Sequence, residues 1–145
     1  LEKKLMVVGW ITGIARYHNV SSVILVPVPL HNSRFIERGY NQAEIIAQAL
    51  QHVVMLNTKN LNVQVNTTLI KKSKKTDKQA LIQDRNVRLK NIHDAFSIND
   101  QDLSFLENSV VIIIDDITTT GGTMLEIRHL FREYTERVFG FTLGH

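Results

Sequence analysis

Residues 110–117, VVIIIDDI, constrain the fold of this chain more than any other stretch. Val110 to Ile114 are five consecutive branched apolar residues, which favour a strand over a helix. No polar side chain interrupts them, so both faces of that strand need cover. A second run of the same kind, SSVILVPV at 21–28, ends at Pro27 and Pro29. Between and around these runs the apolar spacing changes to that of helices. Residues 4–17 carry Leu5, Val8, Ile11 and Ala15. The stretch after Asn41 carries Ala43, Ile46, Ala47, Leu50 and Val54 on one face, and GTMLEIRHLFREY carries Met124, Ile127, Phe131 and Tyr134. Asn41 with Glu44 three residues on is a capping-box pattern that starts the second helix. Residues 62–69 alternate as a strand, 70–78 read as a basic loop, and 78–91 are helix-compatible. HDAFSI is a short strand and RVFGFTLG a final one. Strands alternating with helices predict an α/β fold, a mostly parallel sheet flanked by helices on both faces, in a single domain over residues 1–145.

The chain has 145 residues, enough for one core. It has no cysteine, which excludes disulfides and thiolate metal sites and fits a cytoplasmic location. No apolar segment is long enough to span a bilayer as a helix. The first residue is Leu1, so a longer natural chain is expected. The net charge of +3 permits an anionic ligand without demanding one. The cluster KKSKK at 71–75 reads equally as a solvated loop or as part of an anion site.

The chemistry is concentrated where the central strand ends. In a parallel sheet, ligands sit beyond the carboxyl ends of the strands, and the run 110–115 delivers Asp115 and Asp116 there. Two adjacent carboxylates repel and need hydroxyl donors, a cation or solvent. The following loop, Thr118, Thr119, Thr120, Gly121, Gly122 and Thr123, leads into a helix. Backbone N–H groups before a helix N-terminus make a phosphate site, and the two glycines let an anion approach the backbone. Acids that accept from sugar hydroxyls beside a phosphate cradle fit a ribose 5-phosphate. The competing reading is structural: Thr123 with Glu126 is itself a capping box. The chain lacks G-x-x-x-x-G-K-[ST] and G-x-G-x-x-G, so neither a Walker loop nor a dinucleotide fingerprint is present.

The run 110–123 resembles the signature of type I phosphoribosyltransferases, which bind 5-phosphoribosyl 1-pyrophosphate (PRPP) with Mg²⁺. Thr118 stands where that signature usually has an apolar residue. VPVPLHNSRFIERGYNQAE resembles the P-V-P-L…R…R-G-[FY]-N-Q segment of the ComF family of competence proteins. KTDKQALIQDRNVRLKNIHDAF resembles its T…Q…L…R…N…AF segment, through Thr76, Gln79, Leu81, Arg85, Asn91, Ala95 and Phe96. Together the three segments span roughly residues 23 to 143. The zinc ribbon common upstream in that family is absent from these residues.

The resemblance implies roles. Asp115 and Asp116 would hold the ribose hydroxyls and, indirectly, Mg²⁺. Thr119 to Thr123 would cradle the 5-phosphate. Arg34 and Arg38, in the 29–39 loop with His31, would meet the pyrophosphate. Arg85 would close over the site from a mobile stretch, 70–91, that also carries Lys71, Lys72, Lys74, Lys75 and Arg88. Two functions follow. One is a PRPP-binding, Mg²⁺-dependent protein, with phosphoribosyl transfer (a glycosyltransferase reaction) as its open activity and competence and DNA uptake as its context. The other is a non-enzymatic competence module with a vestigial or regulatory phosphoribosyl site, acting through protein or single-stranded DNA partners. A homodimer is also expected by resemblance.

Overall fold

The computed structural model describes residues 1–30, 37–72, 95–99, 102–117 and 121–144. Helix α1 (Glu2–Tyr17) leads into β1 (Ser22–Pro27), followed by α2 (Gln42–Asn57) and β2 (Asn62–Val65). A short pair, β3 (Ile70–Lys72) and β4 (Phe96–Ile98), comes next. A 3₁₀ turn (Ser104–Asn108) then feeds β5 (Ser109–Ile117), α3 (Gly122–Leu130) and β6 (Val138–Gly144).

The main sheet has the order β2-β1-β5-β6, and all its pairings are parallel. The two branched runs are its inner strands. Alternate side chains of these strands enter two separate cores. Val23 and Leu25 of β1 join Val110, Ile112 and Ile114 of β5 beneath α1 and α2, against Ile11, Ala15, Ala47 and Val54. Ile24 and Val26 join Val111 and Ile113 on the other face, against Ile127 and Phe131 from α3 and its exit, with Leu69, Ile70 and Phe96. Most of these residues are fully buried, each side chain worth about 1.5–3 kcal/mol of hydrophobic stabilisation. The expected α/β architecture with helices on both faces is the one observed.

Several boundaries differ from those expected. β2 ends at Val65, because Asn66 turns the chain by accepting from the Thr68 N–H at 3.1 Å. The start of the basic stretch is not loop: Ile70 to Lys72 pair antiparallel with Phe96 to Ile98. The mobile stretch expected over 70–91 therefore begins in an ordered ribbon. α3 stops at Leu130 rather than Tyr134. Its apolar pattern continues only because Phe131, already past the helix, stays buried. β5 runs on through both acids to Ile117. The helix expected at 78–91 lies outside the described residues.

Candidate functional site

The carboxyl ends of β1 and β5 meet through backbone hydrogen bonds. Pro27 is opposite Ile114, and the Val28 N–H donates to the Ile114 carbonyl at 2.8 Å. The loop after β1 is also closed at its far end. Asn41 caps α2 by accepting from the Ala43 N–H at 3.0 Å, while its Nδ2 donates to the Val28 carbonyl at 3.0 Å. The chain therefore leaves the sheet at Val28 and returns to the same point at Asn41. Arg38 and Gly39 lie just before that anchor. Gly39 has φ 74°, a left-handed turn that glycine adopts without strain. Only half of the expected capping box forms there, since the Glu44 carboxylate is engaged by Gln48 Nε2.

Asp115 and Asp116 follow at once on β5. Each carboxylate accepts from the next backbone N–H: Asp115 Oδ1 from Asp116 at 2.9 Å, Asp116 Oδ1 from Ile117 at 2.8 Å. Both are partly buried. The Asp115 carboxyl is raised from 3.8 to about 6, chiefly by burial; the Asp116 backbone N–H opposes the rise and the Asp116 carboxyl adds to it. β6 supports the pair from the other side. Asp115 is in register with Thr142, whose hydroxyl lies 3.3 Å from the Asp116 carbonyl and 2.7 Å from that of Gly144.

Beyond the acids the chain enters α3 through Gly121, at φ 74°. Gly121 has no side chain to cap the helix, and the first turn closes with the Leu125 N–H on its carbonyl at 3.0 Å. The alternative Thr123–Glu126 capping box is not what Glu126 is used for. Its carboxylate is buried and accepts from the Ala95 N–H at 3.0 Å, 31 residues away. No local spacing in the sequence signals that pairing.

The described residues thus bring together Asp115, Asp116, Gly121, Gly122, Thr123 and the Arg38 end of the β1 loop at one edge of the sheet. Thr118, Thr119, Thr120, Arg34, His31, Arg85, Arg88, Lys74 and Lys75 lie outside the described residues. Lys71 and Lys72 are on β3, with Lys72 Nζ 5.8 Å from the Phe96 ring centre. Two cavities of about 570 and 330 Å³ lie along α3 and β6, lined in part by Arg128 and Val138, and neither is lined by the acids. Among the described residues no three acidic, histidine or cysteine side chains gather to hold a metal. Two adjacent carboxylates suit an ion such as Mg²⁺ that takes one or two protein oxygens and fills its shell from water and ligand phosphates. They do not suit a resident ion caged by protein. No helix among the described residues is long and apolar enough to cross a membrane.

Compared with known families, residues 36–141 match the phosphoribosyl transferase domain. The chain belongs to that family. This phosphoribosyl transferase domain is 35% identical over 109 residues to competence protein F of Haemophilus influenzae, covering 75% of this chain and 44% of that protein. It is 32% identical over 101 residues to competence protein ComFC of Bacillus subtilis, covering 70% of this chain and 35% of that protein. Identity to the DNA utilization protein YhgH of Escherichia coli K12 is 28% over 106 residues, covering 73% of this chain and 41% of that protein. The domain therefore spans less than half the length of these curated relatives. It is phosphoribosyltransferase-like and of the ComF type.

Proposed function

We propose that this domain binds PRPP together with Mg²⁺ at the carboxyl edge formed by β1, β5 and the start of α3. The observation that carries the reading is the Asn41–Val28–Ile114 chain of hydrogen bonds, which returns the chain to the sheet edge three residues after Arg38, at the residue before Asp115. In this reading Asp115 and Asp116 accept from the ribose hydroxyls. The segment from Thr119 to Thr123 holds the 5-phosphate with backbone N–H groups and hydroxyls. Arg38 meets the pyrophosphate, for which a guanidinium offers two parallel donors. Asp115 and Asp116 would hold Mg²⁺ indirectly, and the ion would supply charge neutralisation at the pyrophosphate. The raised Asp115 pKa supports the assignment: a carboxylate kept partly from water, beside a second one, gains most from hydroxyl donors and a cation.

Titration calorimetry with PRPP and Mg²⁺ on the wild type and on the double variant Asp115→Asn/Asp116→Asn tests the site. Binding is expected for the wild type and a loss of at least about 2 kcal/mol for the variant, as when charged hydrogen-bond partners are removed. Equal binding by both would refute the assignment.

A second reading is favoured by the names of the relatives, which describe competence and DNA utilization rather than a transfer reaction. In it the same ligand site serves a non-enzymatic module with protein or DNA partners. Incubation with PRPP, Mg²⁺ and a panel of bases and amines separates the two. Acceptor-dependent pyrophosphate release marks an enzyme, and binding without release marks the module.

A further inference from the structure

Glu126 is a buried carboxylate that the proposed ligand chemistry does not use. It lies one turn into α3, next to the fully buried Ile127, at 8% exposure. The face it occupies packs on the β3–β4 ribbon through Ile70, Phe96 and Ile127. Among the described residues this face packs against apolar side chains, where a carboxylate is costly and a leucine of similar size would be cheap. What the carboxylate provides is a directed acceptor, taken up by the Ala95 N–H at the entry to β4.

Both partners emerge from the same edge of the sheet. The ribbon follows the carboxyl end of β2, where the Asn66 N–H is bonded to the Leu25 carbonyl of β1. It is closed by the Asn99 N–H on the Leu69 carbonyl at 2.8 Å. α3 follows the acid strand through Gly121. The Glu126–Ala95 hydrogen bond joins these two outgrowths directly, without passing through the sheet. We infer that Glu126 is a positioning residue that fixes the β3–β4 ribbon on the helix bearing the phosphate loop, so that the ribbon is held in place for the ligand. The inference rests on the ligand site proposed above and adds a residue that sets its geometry without touching the ligand.

The test compares wild type with Glu126→Leu, which keeps the packing, and Glu126→Gln, which keeps an acceptor oxygen. Amide hydrogen exchange read by NMR comes first, without ligand. In Glu126→Leu, Ala95 is expected to exchange faster while amides of α3 and β5 keep their protection, and Glu126→Gln is expected to restore Ala95. Unchanged exchange at Ala95 in the leucine variant would overturn the inference. Calorimetry with PRPP and Mg²⁺ follows. Affinity is expected to fall roughly tenfold in Glu126→Leu, the size of one charge-assisted hydrogen bond, and to return towards wild type in Glu126→Gln. A released ribbon with unchanged affinity would make Glu126 merely structural and overturn the positioning role. Absence of binding by the wild type itself would sink the ligand site and this role together, and the exchange data would still report whether Glu126 holds Ala95.

Discussion

Asp115 carries an electrostatic load that the folded chain bears for the sake of its position. With its pKa raised from 3.8 to about 6 by burial, its contribution to stability is complete below about pH 3.8. That contribution is lost as the pH rises through about 6, so at neutral pH the ionised group weakens the fold. Asp115→Asn is therefore expected to raise the melting temperature at pH 7.5. The gain should be about 2–4 °C, or about 1 kcal/mol once the group's partial exposure is discounted. The difference should shrink towards zero below pH 4, and melting curves across pH 3.5–8 check both ends. Arg38 is exposed and just outside the loop anchor, so its removal should leave the fold alone. Arg38→Ala is expected to weaken PRPP binding by about 1.5–3 kcal/mol and ribose 5-phosphate binding far less. An equal loss for both ligands would make it a loop-holding residue instead.

Elements whose apolar spacing repeats over many residues were legible in the sequence, and those made by distant partners were not. The helices over 4–17 and from Asn41 follow from periodicity, which encodes burial on a fixed face, and the strands at 21–28 and 110–115 follow from unbroken branched apolar runs, which need cover on both faces. β3 is not legible in the sequence because three residues ending in two lysines carry no pattern. It is a strand only because Phe96 to Ile98 lie opposite it. Glu126 matched a local capping motif, yet its partner is Ala95. The acid pair and the glycine-containing entry to α3 are legible as a candidate site because both are contiguous in sequence, while the closure of the β1 loop by Asn41 on Val28 is not. That closure gives Asn41 a double duty, as helix cap and as clasp. Asn41→Ala is expected to cost about 1–2 kcal/mol, more than a cap alone commonly does. Chemical denaturation measures it. Asn41→Asp, which keeps the cap acceptor but loses the Nδ2 donor, should fall between.

At the scale of the whole molecule, the pairing of β1 with β5 joins residues far apart in the chain. Ser22 lies opposite Ser109, and their hydroxyl oxygens are 3.0 Å apart. β6 then adds to the far side of β5, bringing Phe141 within 6.1 Å of Trp10, ring centre to centre. Trp10 is the single tryptophan of the chain, so its fluorescence reports completion of the sheet. Refolding followed at Trp10 is expected on the millisecond-to-second scale of non-local topologies rather than the microseconds of helical bundles. A chain ended at Arg137 should show the emission of an exposed indole. The same connectivity has a meaning for a protein made from one end to the other. The Arg38 loop leaves the ribosome roughly eighty residues ahead of the acid strand, and until then β1 has α1, α2 and β2 beside it but not β5. If the proposed site binds PRPP, the ligand would favour folding only in chains that already carry the acid strand, and would have nothing to hold on a shorter nascent one.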